Sequence, residues 1–209
     1  MAKIIDISPT ISPRTAVWTG DTPFSQKFLC RFDQGANLDL STITTTVHVG
    51  AHADAPSHYR AGGVTIESRD LSYYYGMCQV ITVSTVQGER VYPQDLHAEI
   101  QAPRILLRTN SFPDPENFTL DFCSLSPELI RFAAEKGVIL AGLDTPSVDP
   151  YFSKELEAHN AIADYDMAIL EGVVLKEVED GIYTLIALPL KIEGSDGAPV
   201  RAVLVVDDH

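Results

Sequence analysis

Basic residues are scarce in this chain: 15 Lys and Arg stand against 29 Asp and Glu, giving a formal net charge of -14 over 209 residues. A surface that negative repels phosphate backbones and anionic lipid heads, which sets aside nucleic-acid binding and peripheral membrane binding. Long apolar runs are missing too. No segment approaches the roughly 20 apolar residues of a spanning helix, and the opening MAKIIDISPT has no apolar stretch of signal-peptide length, so a cytoplasmic location is expected. Cysteine is sparse: Cys30, Cys78 and Cys123 lie far apart with no C-x-x-C pair, which argues against a disulfide framework, a thiol redox site or a zinc knuckle and predicts reduced, buried thiols. Asn117-Phe118-Thr119 fits the glycosylation acceptor pattern, a chance match where no secretory signal is read. Linkers, internal repeats and low-complexity tracts are likewise absent, and the 13 prolines and 13 glycines are scattered.

What is present is an ordinary globular composition, 45% hydrophobic and 21% charged, read as one domain over residues 1–209. Strands are predicted at Leu40 to Val47, Val80 to Ser84, Arg104 to Thr109, Val138 to Leu143, Tyr183 to Leu188 and Val200 to Val206, each apolar or Thr-rich and bounded by Gly, Pro or Asp. A helix is predicted from Pro127 to Lys136, with Ser126 as N-cap and Gly137 as the stop; its apolar positions are Leu129, Ile130, Phe132 and Ala133. A second helix is expected over Lys154 to Asp164, capped by Ser153, and a short one near Pro93 to Glu99. Strands and helices interleave without a strict βαβ rhythm, which points to a mixed α/β domain with a barrel-like or layered sheet.

The densest chemistry is His48-Val49-Gly50-Ala51-His52-Ala53-Asp54-Ala55-Pro56-Ser57-His58, which holds three of the six histidines. Imidazole nitrogens with a carboxylate are the donors preferred by zinc and related divalent ions. In a straight strand His48 and His52 would stand about 13 Å apart, too far to share an ion. A helix would join them, but Gly50, Pro56 and the β-branched run before them oppose one. The chain must therefore bend after His48, at Gly50, and the expectation is a tight loop at a strand end that carries Asp54 to the same point.

These eleven residues resemble the H-x-G-[TA]-H-x-D-x-P-x-H signature of the metal-dependent cyclase-type hydrolases, and the variant with Ala at the fourth place is similar to the bacterial kynurenine formamidases. The likeness continues in Asp6-Ile7-Ser8, Trp18-Thr19-Gly20-Asp21-Thr22-Pro23, Gly142 to Asp149, Ala168 to Gly172 and Ala187 to Lys191, in the same order. The resemblance implies a swivelling β/β/α fold, a homodimer and two zinc ions. His48, His52 and Asp54 would hold the first ion, and Asp54 would bridge to a second held also by His159 and Glu171. It makes His58 the general acid/base and packs Trp18 against the substrate's aromatic ring. On the residues alone, His159, in the second helix, and Glu171, ending the apolar run Met167 to Leu170, could face one cleft, but each by itself reads more readily as a surface residue, and only the resemblance reverses that reading. Trp18 reads equally well as a plug sealing the core. Val49 stands where Thr is common and Asn160 where many relatives carry a second His; neither removes an implied ligand. His97 and His209 read as solvated.

The activity implied is hydrolysis of N-formyl-L-kynurenine to L-kynurenine and formate in tryptophan degradation. Metal-acidified water would attack the formyl carbon, and the leaving aniline nitrogen needs a proton, a task suited to the His58 imidazole. The chain has no Gly-x-Ser-x-Gly elbow for a serine-hydrolase route. Two alternatives stay open: a sister hydrolase that opens a cyclic amide such as isatin, and a non-catalytic metal-binding protein, suggested by the acidic surface.

Overall fold

The computed structural model of the chain describes residues 3–206, so His209 lies outside the described residues. Nine strands form one mixed sheet. From edge to edge they are Lys3–Asp6, Val203–Val206, Gly181–Ile186, Tyr75–Thr82, Arg104–Arg108, Leu140–Leu143, Ala168–Glu171, His52–Asp54 and Gly197–Pro199. Tyr75–Thr82 through Ala168–Glu171 run parallel to one another, and the remaining pairs are antiparallel. The sheet curls into an open half-barrel, the mixed, barrel-like α/β architecture expected from the sequence. Among the described residues no helix is long and apolar enough to cross a membrane.

The parallel strands read as continuous apolar runs because both of their faces are covered. On one face Ile81, Ile105, Leu107, Ala141, Leu143 and Ile169 pack against Leu129, Ile130, Ala133, Ala158 and Ile162. These last come from α2 (Pro127–Glu135) and α3 (Glu157–Asp164). On the other face Val80, Leu106, Leu140, Leu170, Leu185 and Leu204 close on each other inside the curl around Ile66 and Tyr74. Each fully buried Leu or Ile contributes roughly 1.5–3 kcal/mol, so this double core anchors the strand ends where the histidines lie. In α2 the Ser126 hydroxyl accepts the Leu129 N–H at 3.0 Å and Pro127 opens the first turn, as the sequence pattern requires.

Several expectations need correction. The strand at Leu40 stops at Thr44 and pairs with Ser25–Cys30 in a separate, exposed two-stranded ribbon, so the chain reaches His48 through a loop. Of the segment Val200 to Val206 only Val203–Val206 is a strand, and a separate edge strand, Gly197–Pro199, precedes it. Near Pro93 only a single 3-10 turn forms, over Pro93–Asp95. The second helix begins at Glu157, not Lys154, because Leu156 sits in the left-handed region at φ 49. Its first N–H groups are capped by Asp149 rather than Ser153: the carboxylate accepts the Ala158 and His159 amides at 3.1 and 3.0 Å. Ser153 instead accepts the Leu156 N–H and donates to Glu157. Cys78 and Cys123 are buried and free, whereas Cys30, on the ribbon, is only partly covered.

Candidate metal centre

Open α/β sheets gather ligands at the carboxyl ends of their parallel strands, and the histidine cluster lies at that end. His52 and Asp54 sit in a strand, not in the loop expected for them. His52–Asp54 pairs antiparallel with Ala168–Glu171, with His52 opposite Glu171 and Asp54 opposite Ile169. Alternation along a strand then turns His52, Asp54 and Glu171 to the face that α3 covers, while Ala51, Ala53 and Ala55 pack into the core on the other side. The period-two run Ala51-His52-Ala53-Asp54-Ala55 was the signal for this strand.

The bend falls where expected, with Gly50 at φ 60. It folds His48 back until its ring centroid is 5.1 Å from that of His52. Gly172, at φ 67, permits the loop to dock on the end of the Glu171 strand: a Cβ there would lie 2.2 Å from the Gly50 carbonyl oxygen. One helical turn, α1 (Pro56–Tyr59), opens on Pro56 and carries His58, whose ring lies 4.2 Å from that of His48.

The six candidates His48, His52, Asp54, His58, His159 and Glu171 thus line one cavity of about 540 Å³. Asp54 is central. Its Oδ1 is 2.9 Å from His48 Nδ1 and 3.5 Å from His52 Nε2, and its Oδ2 is 3.5 Å from His159 Nε2. Glu171 Oε2 lies 3.1 Å from His52 Nε2 and its Oε1 accepts the Val148 N–H at 2.7 Å. The far side of two imidazoles is occupied: His52 Nδ1–H donates to the Gly50 carbonyl at 2.9 Å and His159 Nδ1–H to Asp149 at 2.8 Å. Such contacts set the tautomer and leave Nε2 aimed at the carboxylates. Asp149, held in turn by Arg90 at 2.9 Å, and Asp196, which receives both His48 and His58, are the contributors that the sequence reading missed. Asp149 lay inside a recognised motif, but nothing in its neighbours points to a partner ten residues on.

Burial alone would lower the His48 and His159 values, but their carboxylates prevail. Asp54 and Asp196 hold His48 at about 9, and Asp149 and Asp54 hold His159 at about 10. Burial would raise Asp54, yet His159 and His48 keep it well below the usual carboxylate range. Asp54 Oδ2 is nevertheless buried without a hydrogen bond. A buried carboxylate with an unsatisfied oxygen, ringed by imidazoles whose other nitrogens are already engaged, fits a divalent cation. His48, His52, Asp54, His159 and Glu171 are the residues that would hold it.

One expected result follows from the raised imidazoles. In the metal-free chain at pH 7 both His48 and His159 carry an extra proton, whereas a metal needs their lone pairs. Zinc uptake at pH 7 should therefore release protons, and apparent affinity should rise with pH toward 9–10. The stability that these two groups add to the metal-free fold has the opposite sense: it is complete below pH ~6.5 and is lost as pH rises through about 9 and about 10. Calorimetric titration in buffers of different ionisation enthalpy reads the proton count directly; a heat independent of buffer contradicts the assignment.

Trp18 lies between this cavity and a second, largely apolar one of about 330 Å³ flanked by Phe112 and Phe118, and it lines both. It stacks on Tyr151 at 4.6 Å and meets buried Phe122 edge-on at 6.2 Å, so the ring seals the core and walls the cavities at once. His97 is exposed and bonds Ser84 Oγ, away from the cluster.

A curled mixed sheet that presents imidazoles and carboxylates at its strand ends belongs to the metal-dependent hydrolases of the cyclase type. The chain is a member of the Cyclase family, whose model matches residues 5–150. Among solved structures it is similar to one described as a potential metal-dependent hydrolase with cyclase activity, at 25% identity and a TM-score of 0.85, with all of both chains covered. A predicted metal-dependent hydrolase from Bacillus stearothermophilus is 26% identical with a TM-score of 0.82 over 98% of each chain. Isatin hydrolase A from Labrenzia aggregata shares the fold at 22% identity and a TM-score of 0.85, over 99% of this chain and 94% of that one.

Proposed function

We propose that the protein is an arylformamidase that hydrolyses N-formyl-L-kynurenine to L-kynurenine and formate, with two zinc ions at the cluster. The observation that carries this reading is the division of Asp54, one oxygen toward His48 and His52 and the other toward His159, beside an open imidazole and an aromatic wall. Bound there, divalent ions supply Lewis-acid polarisation of a carbonyl and water acidified toward a pKa of about 7. The chain's own residues do the rest. Trp18 and Tyr151 offer an apolar surface for an aryl ring, which places the formyl carbon among the imidazoles. Water adds to that carbon and gives up both its protons to solvent by the time formate is formed, and as the C–N bond breaks the anilide nitrogen takes the electron pair and a proton from His58, leaving formate and the free amine. His58 is 35% exposed, enough to take up a fresh proton from solvent.

The isatin hydrolases among the structural neighbours support a second reading, opening of a cyclic aryl amide at the same site. Formate release from N-formyl-L-kynurenine, measured with and without chelator and beside isatin, separates the two. Chelator-sensitive turnover of the formamide is expected. Turnover of isatin alone shifts the substrate, and inactivity on both after zinc or manganese reloading leaves a metal-binding protein.

A cytoplasmic homodimer is part of the same proposal. The ribbon Ser25–Cys30/Leu40–Thr44 exposes Leu29 and Ile43 at 76% and 59%, with Phe32 in its connection at 64%. A two-stranded ribbon is marginal alone in water. The sheet end that the helices leave bare exposes Ile4, Met77 and Ile182. Apolar surfaces of this kind mark contacts with another chain. Sedimentation at twice 22.9 kDa is expected, with Ile43→Asp shifting the chain toward the monomer; a monomeric parent removes the proposal.

A further inference from the structure

The His48 imidazole is also held from behind, by a carboxylate that, unlike Asp149 behind His159, touches a second imidazole as well. Asp196 Oδ2 lies 3.0 Å from His48 Nε2, while Nδ1 of that ring faces Asp54 at 2.9 Å. The same Oδ2 lies 3.2 Å from Nδ1 of His58. One carboxylate oxygen therefore spans an imidazole that would bind metal and the imidazole that would move the proton.

Backbone contacts build this position. The Asp196 carbonyl accepts the Ala55 N–H at 2.9 Å and the Ser195 carbonyl accepts the Ile66 N–H at 3.0 Å. Immediately afterwards Gly197–Pro199 pairs with His52–Asp54, placing Gly197 opposite Asp54. There is no room for a side chain at Gly197: a Cβ would lie 2.9 Å from His48 Cε1 and 3.0 Å from the Ala53 carbonyl oxygen. The carboxylate is thus tied to the same strand that carries His52 and Asp54.

We propose that Asp196 is a positioning residue that orients two imidazoles at once. It engages the outer nitrogen of His48 so that Nδ1 faces Asp54, and it engages Nδ1 of His58 so that Nε2 opens into the cavity. The second half rests on the reading of His58 as proton donor. Under it, the proton delivered to the leaving nitrogen departs from Nε2, and the neutral ring that remains keeps Nδ1–H donated to Asp196.

The test uses the full chain loaded with zinc and labelled with 15N-histidine, comparing the parent with Asp196→Ala and Asp196→Asn. Two-bond 1H–15N correlations report the tautomer of His58, and competition with a chromophoric chelator reports zinc affinity. The parent should show His58 as the Nδ1–H tautomer and Asp196→Ala as Nε2–H, with zinc bound about 10–100-fold more weakly. At saturating zinc, kcat should fall at least tenfold with KM near the parent value. Asp196→Asn, which keeps the shape and a carbonyl acceptor, should restore the Nδ1–H tautomer and part of kcat. An unchanged His58 tautomer, or unchanged zinc affinity, in Asp196→Ala overturns the proposal. Changes in tautomer and affinity alongside a parent inactive on the formamide uphold Asp196 and place the failure in the substrate reading.

Discussion

Replacing His58 by alanine should slow turnover of N-formyl-L-kynurenine by about 10²–10⁴-fold while zinc content stays at the parent level. The side chain stands on a single helical turn behind Pro56, is partly open to solvent and, among the described residues, makes one hydrogen bond, to Asp196. Its removal leaves the buried pairs of Asp54 with His48 and His159 in place, so neither the fold nor the donor set should collapse. What is lost is a proton at the moment the anilide nitrogen departs, a step that an aniline anion cannot take unaided at neutral pH. A formamide with a better leaving group should therefore suffer less from the substitution than the natural aniline. Rates measured at saturating zinc, with elemental analysis of the same samples, decide the matter. Full activity in His58→Ala would take His58 out of the proton-donor role, and loss of zinc would make His58 a ligand instead of an acid.

Asp54→Asn should remove metal binding: after dialysis the variant is expected to hold less than about a tenth of the parent zinc. The side chain is almost fully buried and both oxygens point at imidazoles, so the amide keeps the volume but discards the negative charge on which His48 and His159 depend. An uncompensated buried charge costs about 3–5 kcal/mol, so the metal-free variant should also unfold at lower denaturant than the metal-free parent. Two measurements are needed, zinc by elemental analysis and folding by near-UV circular dichroism at low denaturant. A folded variant with parent zinc content takes Asp54 out of the ligand set. His52→Ala should lose zinc as well, and it also strips the buried Glu171 carboxylate of the imidazole 3.1 Å away.

Much of the framework was legible from local signals. Ser126, Pro127 and Gly137 delimit α2 because capping is decided within a few residues. The apolar runs of Arg104–Arg108 and Leu140–Leu143 declare doubly covered strands for the same reason. The His48-to-His58 spacing pointed to a bend and to metal chemistry, and Gly50 supplies the bend. Less local features escaped. His52–Asp54 carried a local period-two signal, but its partner and register are set by Ala168–Glu171, more than a hundred residues away, and the start of α3 depends on the Asp149 carboxylate rather than on neighbouring Ser153.

By itself, then, the sequence determined which donors this protein owns, the tight spacing of three of its histidines, the helix caps and the mixed α/β class, all properties carried by short stretches of chain. Only the tertiary structure decided that His159 and Glu171 join that cluster, that Trp18 separates two cavities, and that Asp149 and Asp196 hold the imidazoles from behind. Those placements are set by sheet register and helix docking, where residues far apart in the chain meet because burying both faces of the sheet leaves them no other arrangement.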